Sequence, residues 1–283
     1  MVGAGGQLGA AVVHEFETRH ETSAFRHADL DASDDAAVLA AFDRVRPEVI
    51  VNGAALTNVD AAEDHPVEAL EVNAFAVRAL ARAAQRHGAT LVHYSTDFVF
   101  DGRAESPYTE EHPTNPRSVY AASKLLGEWF ALDAPRAYVL RVESLFGRAP
   151  NGPPAKGSVA GILNTLTAGG SPTVFEDRTI SPTHVVDAAR ATRQLVEMDA
   201  SAARPGVYHC VNSGSCTWLE LSQELARQLG VEPRLTPVRL ADMALRAQRP
   251  QYCALSNAKL QALGIVMPSW QDALARYVRT CHE

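Results

Sequence analysis

The chain has 283 residues, 46% of them hydrophobic, with 26 Lys and Arg against 33 Asp and Glu for a formal net charge of −7. This size and apolar content suit one large domain with an appended lobe. The acid excess and the lack of a basic block exclude a protein that tracks a phosphate backbone, and no run reaches the roughly 18 apolar residues of a membrane span.

The N-terminus opens on "GAGGQLGAAVVHEFETRH", in which Gly3, Gly6 and Gly9 form G-x-x-G-x-x-G at the head of an amphipathic helix starting near Gln7. Glycines there permit a tight turn and a close approach of backbone N–H groups to a pyrophosphate, with the helix N-terminus facing the phosphates. The motif assigns Gly3, Gly6, Gln7, Leu8 and Gly9 to cofactor binding. Such a motif follows a strand, yet only Met1 and Val2 precede it, so the natural chain is expected to begin several residues upstream. "TSAF" reads as the second strand, ending in "FRHADLDASD" with Arg26 where an adenosine ribose lies. No acid stands at that strand end to bond the 2′-OH of NAD, whereas an arginine suits a 2′-phosphate; NADP(H) is expected, with NAD(H) as the alternative, and Asp31 is a candidate adenine contact.

"DAAVLAAFDRV" follows as a helix with Ser33 and Asp34 as cap candidates, then "EVIVNGAA" as a buried strand, "PVEALEVNAFAVRALARAAQRHG" as one long helix stopped by Gly88, and "ATLVHYST" as the next strand. The alternation predicts an α/β chain, a Rossmann-type doubly wound parallel sheet covered on both faces. After Pro113 and Pro116 come the helix "SVYAASKLLGEWFAL", the strand "RAYVLRVESLFG", a Pro- and Gly-rich loop "RAPNGPPAKGS", and shorter elements that read as a smaller C-terminal mixed α/β lobe. Those shorter elements include the helices "VVDAARATRQLVEM" and "WLELSQELARQLG".

Tyr120 and Lys124 stand four residues apart and project from one face of their helix. Hydride delivery to a ketone leaves an alkoxide that needs a proton, and a nearby ammonium lowers the pKa of a tyrosine donor. Thr96 ends a predicted parallel strand, where open α/β sheets bind ligands, and its hydroxyl suits a substrate carbonyl oxygen. Together Thr96, Tyr120 and Lys124 form a catalytic trio. Of the ten histidines, His14, His65, His93, His112, His184 and His209 show no H-x-x-x-H pairing and read as surface or packing residues, and no metal site is expected. Trp218 and Trp270 read as packing aromatics. Four cysteines, Cys210, Cys216, Cys253 and Cys281, show no C-x-x-C spacing and read as reduced thiols; without a signal-peptide pattern the chain is expected in the cytoplasm.

The glycine motif, "VIVNGAA", Asn73 in "VNA", "STDFVFDG", "YAASK" and "RVESLFG" together resemble the extended short-chain dehydrogenase/reductase superfamily. Within it, "GGQLG", "AALTNVDAAE", "PYTEE", "YAASKLLGE", "QRPQYCALSNAKLQALG" and "PSWQDAL" resemble the dTDP-4-dehydrorhamnose reductase family over nearly the whole chain. The resemblance implies NADPH-dependent reduction of the 4-keto group of a dTDP-6-deoxyhexose, dTDP-4-dehydrorhamnose first among them. It implies a dinucleotide-binding domain over residues 1–147, rejoined by a segment around 174–212, and a nucleotide-sugar lobe over 148–173 and 213–283. By it Thr96 orients the carbonyl, Tyr120 gives the proton and Lys124 tunes Tyr120 while touching the nicotinamide ribose. Asn73 supports that geometry, Ala54, Ala55 and Thr57 line the cofactor junction, and Thr96, Asp97, Phe98, Ser144 and Arg249 face the nucleotide sugar.

Departures accompany the likeness. Where the family reads Arg-Thr-Ser-Trp the chain has Arg141, Val142, Glu143 and Ser144, so an aromatic expected on the sugar is missing. Phe98 replaces a tyrosine, Leu56 stands in "AALT", and Ala11 replaces an acid tied to a metal-linked dimer; a homodimer, if formed, is expected without that link. Two other readings stay open: a reductase of a different keto-sugar, and a non-catalytic NADP-binding protein like the regulatory subunit of methionine adenosyltransferase.

Overall fold

The computed structural model describes residues 1–199 and 201–282. Its spine is a parallel sheet of β1 (Val49–Asn52), β2 (Thr90–Thr96), β3 (Ala137–Val142) and the strand Gly206–His209, hydrogen-bonded in that order. Val2 lies beyond β1 and forms single parallel bridges to Asn52 on one side and Phe25 on the other. The chain thus winds first outward to Phe25 and then back across to β1. The crevice beside Val2 is the topological switch point at which open sheets take ligands. The expected strand "TSAF" is reduced to Phe25, whose N–H donates to the Met1 carbonyl while its own carbonyl accepts from Gly3 and Ala4.

Every residue of β2 and β3 is buried, as β-branched and aromatic runs sandwiched between helices should be. On one face α1 (Gln7–Glu17) and the helix Val185–Glu197 pack on Val92, Tyr138 and Leu140. On the other face lie α2 (Asp35–Val45) and, further along the chain, α5 (Ala76–His87). Leu80 and Leu91 are wholly buried there, each contributing about 2 kcal/mol of transfer free energy. Of the two cap candidates Asp34 caps α2, accepting from Ala36 and Ala37, while Ser33 bonds Asp31 instead.

Between β1 and β2 the long helix expected over 66–87 is continuous in path but not in pitch. After α3 (Val59–Asp64) come α4 (Pro66–Leu70), a π-turn over Glu71–Phe75, and α5. The extra residue of the π-turn rotates Asn73 inward, where it is fully buried. Opposite it runs α6 (Val119–Leu132), capped by Ser118.

The later chain forms a second core. The helices Ser158–Thr167, Trp218–Leu229 and Trp270–His282 share Phe146, Ile162, Ile180, Trp218, Leu221 and Leu274. A reciprocal capping box between Thr217 and Glu220 starts the middle helix and Gly230 stops it. Among the described residues no helix is long and apolar enough to cross a membrane.

Gly127 lets α6 and the π-turn touch: a Cβ there would run into the Asn73 carbonyl and crowd His93. Gly127→Ala is therefore expected to cost about 2 kcal/mol of stability by overpacking. Chemical denaturation checks this; an unchanged midpoint would show that the two segments can part without loss.

Candidate active site

At the carboxyl ends of the strands lies a cavity of about 590 Å³. One wall is the glycine turn, from Gly5 to Gly9, with Gly53, Ala55 and Thr57 after β1. The floor carries Thr96, Asp97, Phe98, Tyr120 and Lys124, and the far wall Glu143, Ser144, Arg178 and Trp218. Lys156 and Gly157 close the cavity from above, and the Lys156 N–H donates to the Gln7 Oε1 at 2.9 Å.

The catalytic trio assembles on two elements. Thr96 is the last residue of β2, and its Oγ1 accepts from the Phe98 N–H at 3.2 Å while its O–H donates to Asp97 Oδ1 at 3.0 Å. Tyr120 lies in the first turn of α6 with its ring edge-on to Phe98, 5.6 Å between centroids. Burial pushes the Tyr120 phenol up to about 12; a hydrogen bond with Thr96 opposes this and the Asp97 charge adds to it. One turn on, the Lys124 Nζ donates to the Tyr94 carbonyl at 2.6 Å.

Lys124 sits in a pocket that resists its charge. Burial brings its pKa down to about 8, against the pull of the Glu128 carboxylate. His93 contributes through its tautomer. Asn52 Oδ1 accepts from the Ala54 N–H at 3.1 Å, which leaves the Asn52 amide to donate to His93 Nδ1, also at 3.1 Å. The His93 proton therefore sits on Nε2, 3.4 Å from Lys124 Nζ. A neutral amine can accept that N–H and an ammonium cannot. Burial and the Lys124 charge together hold the His93 pKa well below the ordinary imidazole value.

Two buried networks fix this geometry. Glu128 of α6 receives the Arg141 guanidinium as a fork, Nε to Oε1 at 2.8 Å and Nη2 to Oε2 at 2.7 Å, and Ser95 donates to Oε1 at 2.6 Å. Asn73 grips the loop after β1: its Oδ1 accepts from the Leu56 N–H at 2.9 Å and its amide donates to the Leu56 carbonyl at 3.1 Å and to Ser123 Oγ at 3.0 Å. Of these residues only Ser95 borders the cavity; Glu128, Arg141, Asn73 and Ser123 position residues that do.

The dinucleotide site fits its expected occupant. Gly3 has a positive φ of 80°, and a Cβ at Gly9 would strike the Gly3 carbonyl, so the turn is too tight for side chains. The N-cap Gly6 offers no side chain to the first N–H groups of α1 and no acid occupies that turn, leaving the helix end open to a phosphate. Arg26 lies over Gly5, its Cγ 3.5 Å from where a Cβ would stand.

Not every expected residue borders the cavity. Gly3, Ala54 and Asn73 support it from behind. Asp31 is exposed and accepts from both the Ser33 N–H and hydroxyl, which depresses its pKa. Arg249 forks onto Asp60 at 2.8 Å on both arms, tying the segment before Pro250 to α3 rather than facing the cavity. Residues that sequence reading passed over take part instead: Glu143, Arg178, Lys156 and Trp218, whose buried indole borders the cavity. Local pattern marks none of them as a site residue. Only the departure at Glu143 from the expected serine carried any signal.

A Rossmann sheet, a glycine turn at its switch point and a Thr, Tyr and Lys trio beside it define a dinucleotide-dependent oxidoreductase. The family described as "RmlD substrate binding domain" matches residues 1–282. Among curated relatives, the probable dTDP-4,6-dihydroxy-2-methyloxan-3-one 4-ketoreductase of Streptomyces antibioticus is 37% identical over 97% of this chain and 92% of its own. The dTDP-4-dehydrorhamnose reductase of Streptomyces griseus is 35% identical over 97% and 90%. Among solved structures, a dTDP-4-dehydrorhamnose reductase of Clostridium acetobutylicum superposes with a TM-score of 0.91 at 31% identity, covering 100% of this chain and 98% of that one. The Bacillus anthracis enzyme in complex with NADP gives 0.90 at 30% identity, covering 99% and 97%. The chain belongs to the dTDP-4-dehydrorhamnose reductase family of the extended short-chain dehydrogenases/reductases.

Removing one partner of the buried fork leaves an uncompensated charge. Arg141→Met is expected to cost about 4 kcal/mol, because Glu128 keeps only Ser95 and a buried carboxylate is expensive. Urea denaturation measures it, and a loss under about 1 kcal/mol, the size of a surface pair, would show that water reaches Glu128.

Proposed function

We propose that the protein reduces the 4-keto group of a dTDP-6-deoxyhexose, dTDP-4-dehydrorhamnose first among them, with NADPH. The enzyme is an NADP-dependent oxidoreductase, as its family membership implies. The observation that carries the reading is the convergence of Thr96, Tyr120 and Lys124 on one cavity whose opposite wall is the glycine turn.

Bound NADPH supplies the hydride; the rest of the chemistry belongs to the chain. Thr96 turns its hydroxyl from Asp97 to the substrate carbonyl oxygen and holds it beside Tyr120. As negative charge develops on that oxygen, Tyr120 gives up its proton. Lys124, charged at the moment of transfer, stabilises the resulting tyrosinate across one helical turn. The dry floor, walled by Phe98, strengthens each of these interactions.

A reductase of a related keto-sugar is the second reading, and the far wall favours it: Glu143 and Ser144 give the sugar a polar wall with a left-handed backbone at Ser144, φ 42°, in place of the aromatic expected there. The acid excess and Ala11 support a partner list limited to the nucleotide sugar and a second copy of the chain without a metal bridge. The buried free thiols of Cys210, Cys216 and Cys253 support a cytoplasmic setting.

NADPH consumption with enzymatically generated dTDP-4-dehydrorhamnose tests the proposal, and dTDP-rhamnose is the expected product. Tyr120→Phe should lower kcat by about a hundredfold or more with NADPH affinity kept, the size of a lost general acid. Full turnover by that variant would remove Tyr120 from the mechanism. The pH profile offers a separate check. Reduction needs the Lys124 ammonium, so kcat/KM of the free enzyme should fall as pH rises through about 8. Stability moves the other way for this residue. The unfolded lysine keeps its proton up to its ordinary 10.5, so between these two values Lys124 favours folding more as pH rises. A profile flat across pH 8 would contradict the role given to Lys124.

A further inference from the structure

We infer that Asp97 and Glu143 hold one proton between them and act as a unit, with Glu143 a positioning residue that holds Asp97 and, through it, the Thr96 side chain until the substrate carbonyl takes over its hydroxyl. The shared proton is independent of the substrate; the consequence for Thr96 rests on the reductase reading above.

The two carboxyls come from the ends of neighbouring strands, β2 and β3, and both are almost wholly buried. Two of their four oxygens have a hydrogen-bond partner and two do not. Asp97 Oδ1 accepts from Thr96, and Glu143 Oε2 accepts from the Ser181 N–H at 2.6 Å. Asp97 Oδ2 and Glu143 Oε1 have no partner and are shut off from water. One carboxylate oxygen of each acid and the Cys253 Sγ lie within 4.8 Å of one another. Two buried acceptors without donors cost several kcal/mol if left so, and one proton held by the pair removes one of the charges and turns one acceptor into a donor.

Charge balance leads to the same place. Arg178 is the cation of the cluster, with its Nε bonded to the Pro250 carbonyl at 3.0 Å, its Nη2 3.5 Å from Cys253 Sγ and its guanidinium 5.4 Å over the Phe98 ring. One guanidinium offsets one carboxylate; a second would stand as a buried uncompensated charge. The other titratable groups facing the pair are Tyr120 on α6, Cys216 on the strand Cys216–Thr217, and Tyr252 and Cys253 on the segment after Pro250. None of them supplies a positive charge. Burial raises both carboxyls, Glu143 well above the ordinary value with the Asp97 charge adding to it, while Arg178 and hydrogen bonds from Thr96 and Cys253 restrain Asp97.

With the proton on Glu143, Asp97 is a carboxylate and holds the Thr96 side chain in place until its hydroxyl turns to the substrate. Loss of the proton at alkaline pH places a second negative charge beside Tyr120 and disfavours tyrosinate formation. A glutamine at position 143 reproduces the protonated form: its carbonyl accepts from Ser181 and its amide donates to Asp97.

Infrared difference spectroscopy of the purified enzyme at neutral pH, without substrate, reads the proton directly. A protonated-carboxyl C=O band is expected in the wild type and is expected to vanish in both Glu143→Gln and Asp97→Asn. Absence of the band in the wild type, or its survival in both variants, overturns the shared proton whatever the enzyme reduces. In turnover, Glu143→Ala should lose about tenfold or more in kcat with little change in KM for NADPH, whereas Glu143→Gln should recover most of that loss. Equal losses in the two variants would leave Glu143 as a packing residue and overturn the positioning role.

Discussion

The buried fork between Glu128 and Arg141, with Ser95 as its third member, is the interaction on which the site's geometry hangs. It fastens α6 to β2 and β3 at a single depth, because a bidentate ion pair tolerates little sliding before a charge is left unpaired. Every reacting group is spaced from one of its three members. Lys124 lies one turn before Glu128, Thr96 follows Ser95, and Glu143 stands two residues past Arg141. A shift of α6 by one residue would break the pair and carry Tyr120 away from Thr96.

With that frame fixed, the electrostatics of the cavity follow from unequal burial. Lys124 is surrounded by a backbone carbonyl, a neutral histidine and a distant carboxylate, so its charge is supported just enough to exist near neutrality. Tyr120 is driven the other way by the same dryness. A donor that resists ionisation next to a base that resists charge gives up its proton only when a developing alkoxide changes the balance. The low dielectric that creates this poise also makes the Asp97 and Glu143 pair consequential, since an extra charge on that pair reaches Tyr120 unscreened.

The two lobes contribute differently. The sheet supplies rigid strand ends and the glycine turn; the later chain supplies residues of the facing wall. Arg178 and Trp218 enter from that wall, and Arg178 is itself held by Pro250 and Cys253. The loss of an aromatic at Ser144 falls on this wall and bears on the identity of the sugar, whereas Glu143, beside it at the end of β3, reaches the reduction step through Asp97.

The sequence by itself determined the alternating α/β architecture, the glycine turn and the spacing of Tyr120 and Lys124, because each is a local pattern: period, glycine placement and one helical turn. It also marked Thr96, since a residue at the end of a buried parallel strand faces the ligand side. It could not show that the helix over 66–87 would carry a π-turn at Asn73, because a single inserted residue leaves the apolar periodicity on both sides intact. Nor could it show that Arg249 would pair with Asp60, or that Glu143 and Arg178 would meet at Asp97. Those meetings depend on segments distant in sequence being brought together when the two lobes pack. Only the tertiary structure decided them, because the energy that selects a partner for a buried charge is the cost of leaving it unpaired, and that cost exists only once the chain has closed water out.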